Sequence, residues 1–168
     1  MFDHKKRLYV ALYFRSSLST FHWSLLLVEK NGVGEDVASH RYHVTTLDDS
    51  NKLTEVWKYD KDAYANLYRS RTIVSLVRIG KVGKDQEAVI GDLVEKDVPI
   101  VQGDLSWTCR VWVLEAVKVL QRNGVISSFD VDELESFCKE KATLDLRLSM
   151  GKTQKEIWST PTPAHKFV

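Results

Sequence analysis

Between residues 109 and 120 the apolar side chains recur at a helical period: Cys109, Trp112, Val113, Ala116, Val117 and Leu120 stand at i, i+3, i+4, i+7, i+8 and i+11. A stripe this continuous has to be covered, so the helix must lie against another layer. That layer is written upstream. Residues 7–15 and 21–29 are short runs of aromatic and aliphatic residues separated by a polar turn at Ser16, Ser17, Ser19 and Thr20. Further strand candidates follow at 37–45, 53–59 and 71–82, the last rich in Val and Ile and suited to a central place. Strands first and helices afterwards predict an α+β chain, an antiparallel sheet that opens as a meander and packs against helices.

The helical half carries its own punctuation. Residues 85–95 hold Ala88, Val89, Leu93 and Val94 at helical spacing. Ser106 or Asp104 is placed to cap the helix that carries Cys109 near its third position, and Gly124 is placed to end it in the left-handed conformation. Asp130, with Glu133 three residues on, opens a last helix lined by Leu134, Phe137 and Cys138. The Thr160-Pro161-Thr162-Pro163 segment marks residues 151–168 as a loosely held tail, which leaves residues 1–150 as a single domain.

Charge and composition remove several functions. The 168 residues contain 24 basic and 23 acidic side chains, a net charge of +1. So even a balance does not build the field that non-specific nucleic-acid binding requires. The basic run His4-Lys5-Lys6-Arg7 reads as a solvated leader. Residues 8–14 are too few for a secretory core and are cut off by Arg15. No apolar run reaches the ~18 residues of a membrane helix, so no integral membrane segment is expected. Two cysteines with no C-x-x-C pattern make no disulfide framework; the expectation is a reducing, cytoplasmic setting with both thiols free.

Cys109 is the strongest candidate for chemistry. In the first turn of a helix, unpaired amides and the positive end of the dipole favour a thiolate, and they can receive the oxyanion of an attacked acyl group. The bland alternative is a small apolar residue on a buried stripe. His22 shifts the balance. It stands in an apolar strand beside Trp23, where a histidine has little structural purpose, and it offers the base a thiol nucleophile uses. As a dyad, the ring and the sulfur are expected within roughly 3 to 5 Å. His43 or His40 could orient His22. Three positions apart on one strand, they face opposite ways, and His43, flanked by Tyr42 and Val44, is preferred. Zinc held by His22, His40, His43 and Cys109 is disfavoured, because no helix sets His40 and His43 on one face. No metal and no cofactor are expected. Cys138 reads as core, and Gly32-x-Gly34 as a hairpin turn rather than a phosphate loop.

These residues resemble a known family. Phe21-His22-Trp23-Ser24-Leu25-Leu26-Leu27-Val28 is similar to the His-Trp-Ala-Ile-Tyr-Val strand of the lecithin retinol acyltransferase-like (LRAT-like) branch of the NlpC/P60 superfamily. Ser106-Trp107-Thr108-Cys109-Arg110-Val111-Trp112-Val113 resembles that branch's Asn-Cys-Glu-His-Phe-Val helix start, with Thr108 in place of Asn and Arg110 in place of Glu. Fungal proteins with a His-Trp strand and a Cys-x-x-Trp-Val helix look closest. The resemblance implies a circularly permuted papain-like fold, with His before Cys in the chain. It also implies a Cys109 nucleophile, His22 as base and His43 as third polar residue. The substrate class it implies is a peptide, an amide or an acyl ester, handled by hydrolysis or acyl transfer. The competing expectation is an inactive binding module that keeps the fold.

Overall fold

A computed structural model describes residues 5–15, 20–29, 37–46, 56–64, 72–153, 155–156 and 162–168. Its strands are β1 (Lys6–Phe14), β2 (Phe21–Glu29), β3 (Val37–Thr46), β4 (Trp57–Tyr64), β5 (Ile73–Val82) and β6 (Ala164–Lys166); its helices are α1 (Lys84–Asp97), α2 (Cys109–Arg122) and α3 (Val131–Met150). The molecule is α+β. The strands form one sheet in the order β4-β3-β2-β1-β5-β6. The meander β1 to β4 and the β1–β5 pair are antiparallel, and β5–β6 is parallel, so the sheet is mixed.

Period-2 alternation gives the sheet two different faces. Leu8, Val10 and Leu12 on β1, Trp23, Leu25 and Leu27 on β2, and Tyr42 and Val44 on β3 meet the α2 stripe of Cys109, Trp112, Val113, Ala116, Val117 and Leu120 in the main core. The intervening residues Ala11, Tyr13, Leu26 and Val28 join Ile73 and Leu76 in a second, smaller cluster. Near the end of β5, a Cβ added at Gly80 would stand 2.8 Å from Ile126 Cγ2, so the chain leaving α2 packs where the sheet has no side chain. The turn before it uses Gly124 at φ 68°, the left-handed end expected of that glycine.

The helix starts divide the expectations. Asp130 caps α3, its side chain accepting from the Asp132 and Glu133 amides at 2.8 and 3.1 Å. At α2 the cap position belongs to Thr108, which makes no side-chain capping bond, and Cys109 is the first helical residue rather than the third. The Asp104 carboxylate accepts instead from the Ser106 amide (2.8 Å) and hydroxyl (2.6 Å), closing the turn just ahead of the helix.

Three strands also differ from expectation. β5 lies between β1 and β6, and the middle of the sheet is β2 and β1. β4 starts at Trp57, and residues 53–55 lie outside the described residues. Its first residue is gripped by a side-chain amide: the Trp57 amide donates to Gln102 Oε1 (2.9 Å), and Gln102 Nε2 donates to the Trp57 carbonyl (2.8 Å). The third difference is at the proline-flanked end, where residues 164–166 join the sheet. The Leu76 amide donates to the Pro163 carbonyl at 2.9 Å and the Phe167 amide to the Arg78 carbonyl at 3.1 Å. Phe167 packs edge-on against Phe129 and Phe137, each at 5.2 Å. That burial, invisible to local composition, offsets the loss of freedom that Pro and Thr residues suggest for a loose end. Among the described residues no helix is long and apolar enough to cross a membrane.

Candidate functional site

The β1–β2 register sets Tyr13 opposite His22, with ring centroids 5.4 Å apart. His22 therefore shares the Tyr13 face of the sheet, while its neighbours Phe21 and Trp23 pack into the main core with Cys109. On β3, His43 alternates with Tyr42 and Val44 and so comes to the His22 face. His22 Nε2 and His43 Nδ1 are 2.8 Å apart, the rings edge-on at 70°. His40 takes the other face, its ring stacked near Tyr42 at 6.5 Å. The β3–β4 register then supplies acids: Asp60 stands opposite His43, and Asp62 opposite Arg41.

Cys109 reaches this group through an arginine. Arg15, one residue beyond β1, places Nη2 3.4 Å from His22 Nδ1 and 3.5 Å from Cys109 Sγ. Thiol and imidazole are each one contact from the same nitrogen, but no hydrogen bond joins them directly among the described residues.

Proton positions follow from this chain of contacts. A guanidinium only donates, so His22 Nδ1 is the acceptor and its proton sits on Nε2. That proton is donated to His43 Nδ1, which leaves the His43 proton on Nε2. His43 Nε2 is buried with no hydrogen-bond partner among the described residues, and Asp60 Oδ2 lies 3.6 Å from it. Electrostatics agrees. Burial, helped by His43, Arg15 and Arg41, lowers the His22 pKa from 6.5 to about 3, so the ring is neutral near pH 7. Burial and then Arg41 also lower the pKa of His43, against the pull of Asp62 and Asp60. Burial works against a charge on Asp62, but its hydrogen bonds from Arg41 outweigh that and lower its pKa. Arg41 grips Asp62 with both Nε (2.8 Å) and Nη2, and its guanidinium lies 5.8 Å from the centre of the Tyr13 ring. Tyr13 and Ser24 share a buried hydroxyl pair at 2.9 Å.

A cavity of about 410 Å³ opens beside Cys109, with Arg15, Phe21, Trp23, Arg110 and Lys139 among its walls. Cys109 is only 1% exposed. Cys138 is fully buried in α3, and burial, with Glu135 adding to it, pushes its thiol far above the ordinary range. Ligand-type atoms of His43, Asp60 and Asp62 lie within 4.8 Å of one another, the one such trio among the described residues. The imagined set of His22, His40, His43 and Cys109 is not assembled, and Asp62 already has Arg41 as its cation. His4 and Gly32-x-Gly34 lie outside the described residues.

Sequence reasoning thus named His22, His43 and Cys109 and missed Arg15, Arg41, Asp60 and Asp62. A signal for three of these was present. Arg41-x-His43 and Asp60-x-Asp62 both have strand periodicity, and pairing the two strands antiparallel puts opposite charges face to face. Arg15 gave no such signal, because it lies past the strand end.

Residues 5–143 match the model of a family of unknown function, DUF6914. No curated protein and no solved structure matches the chain. With most of its length matched, the chain belongs to that family.

Proposed function

We propose that this member of a family without an assigned activity is a cysteine-nucleophile hydrolase or acyltransferase. It acts on an amide, peptide or acyl ester through a thioester on Cys109. We read its α+β fold as the circularly permuted papain-like arrangement of the LRAT-like branch. The carrying observation is the line Cys109–Arg15–His22–His43, in which a helix-start thiol and a neutral His22 meet one guanidinium nitrogen and His43 bonds the far side of the His22 ring.

The chemistry assigns each residue a step. The Cys109 proton passes to the bare His22 Nδ1 as Sγ bonds to the substrate carbonyl carbon. The carbonyl oxygen, now negative, faces the open first-turn amides of α2. Collapse restores the carbonyl and breaks the bond to the amine or alkoxide, which leaves with the proton held by His22. Water or an acceptor hydroxyl then gives a proton to His22 and attacks the thioester, and Sγ departs with that proton. His43 holds the His22 ring in the tautomer that keeps Nδ1 bare. In the resting arrangement Arg15 stands on the proton's path, so catalysis requires that it swing aside.

Incubation with p-nitrophenyl acetate tests the reading. Peptide mass spectrometry should find an acetyl group on Cys109, released with time, and none on Cys138. His22→Ala and His43→Ala should each suppress the adduct, whereas His40→Ala should not. No adduct on Cys109, or one indifferent to His22→Ala, would end the reading. One observation favours the second possibility, an inactive binding module: Cys109 is 1% exposed and has no direct bond to His22. In that case Cys109 would be as inert as Cys138.

A further inference from the structure

We propose that the cavity beside Cys109 receives an acyl substrate bearing an anionic group, carboxylate or phosphate, and that this group draws Arg15 off the line between Cys109 and His22. The inference rests on the nucleophile reading above and adds to it a substrate class and a gate.

The charge around the cavity carries the argument. Three cations line it: Arg15, Arg110 and Lys139. No acidic side chain among the described residues does. One carboxylate, Glu135, lies close by and is shared, paired with both Arg110 and, at 2.6 Å, Lys139. Among the described residues, three positive charges thus face a single negative one. The excess is local, because the chain as a whole carries only +1. Arg15 itself has no carboxylate partner among the described residues, and its contacts are a neutral ring nitrogen at 3.4 Å and a sulfur at 3.5 Å. Both are long and weak beside the paired bonds a guanidinium makes to a carboxylate or phosphate.

An anion entering this cavity therefore offers Arg15 better bonds than those it has. When Arg15 turns to it, His22 Nδ1 and Cys109 Sγ both lose the guanidinium nitrogen that stands between them. Phe21 and Trp23 form the apolar wall against which the acyl portion can lie. The device couples recognition to activation: a substrate without the charge does not draw the arginine away and reacts more slowly, by about tenfold. It also accounts for the arginine that stands between the thiol and its base.

Two alkylating reagents of nearly equal size make the test, iodoacetate with a charge and iodoacetamide without. In each case Sγ displaces iodide and gains a carbon bond. The quantity read is the ratio of the iodoacetate rate to the iodoacetamide rate at Cys109, against the same ratio for free cysteine in the same buffer. The full-length protein should show a ratio about tenfold above that of free cysteine, decaying with added salt. Arg15→Gln should bring it down to the free-cysteine value. Lys139→Gln, at a half-exposed position on α3 where refolding is not in question, should lower it partway. Acetate and inorganic phosphate are added as competitors at constant ionic strength, and the one that slows iodoacetate more identifies the charge. Two outcomes separate the layers of the argument. If iodoacetamide modifies Cys109 well before Cys138 but iodoacetate gains nothing, or if neither anion competes, the anion site is overturned and the nucleophile stands. If neither iodoacetate nor iodoacetamide modifies Cys109 faster than Cys138, the nucleophile itself is lost and the anion site with it.

Discussion

The two faces of the sheet are built on different principles. Toward the helices, Leu8, Val10, Leu12, Leu25, Leu27 and Val44 offer nothing but volume and apolar area, and α2 covers them with a matching stripe. On the other face the residues in between include Tyr13, His22, Ser24, Arg41 and His43, each buried or half-buried and each held by a named polar contact. The first face is defined by fit, so a residue there can be exchanged for another of similar size. The second is defined by donors and acceptors, so a residue there can be replaced only by one that completes the same bonds. One strand serves both purposes, since residues 22 to 27 of β2 alternate between them.

The contrast can be attacked in order of expected effect. Leu25→Ala on the packed face should cost about 2–5 kcal/mol in urea unfolding, as a fully buried leucine removed from a dense core. A loss below about 1 kcal/mol would mean that the helix face is looser than its burial implies. Acidification should strike the polar face instead. His22 titrates at about 3 in the folded protein and at 6.5 in the reference state. Between those values the unfolded chain binds a proton that the folded one refuses, so stability rises with pH across that window and is complete above it. Going from pH 7 to pH 5 should remove about 2 kcal/mol, and His22→Gln should flatten the slope. An unchanged slope in the variant would assign the acid sensitivity to other groups. The smallest effect is expected at the hydroxyl pair: Ser24→Ala should cost about 1 kcal/mol. The Tyr13→Phe, Ser24→Ala double variant should be more stable than the sum of the two single losses predicts, because both remove the bond they share.

What could be read from the sequence followed the range of each signal. The α2 stripe, the β1–β2–β3 meander and the Asp130 cap rest on spacings within one element, and they are visible to anyone who counts residues. The histidine preference did as well: alternation alone separates His40 from His43, and the one placed with His22 is His43. Contacts between distant elements left no such mark. Nothing near Arg15 announces that a residue beyond a strand end will stand between His22 and a cysteine on α2. Nothing in a Thr-Pro repeat announces that Phe167 will find Phe129 and Phe137. Even alternation was used only halfway, because following it through β2 sets His22 on the Tyr13 face while Trp23 takes the Cys109 side.

The grip of Gln102 on Trp57 has an optical consequence. It holds the Trp57 indole 5.6 Å from that of Trp107, nearly perpendicular at 79°. Two indoles at that distance and angle do not absorb independently. Their transitions mix, and in a chiral setting the mixing produces paired circular-dichroism bands of opposite sign. Trp57 opens β4, and Trp107 stands two residues before Cys109, so the doublet exists only while the strand and the approach to Cys109 stay docked. The molecule thus carries a dye-free gauge of the ground beside its thiol. The gauge would dim if that approach lifted away to admit a substrate, and it would hold steady if only the Arg15 side chain moved.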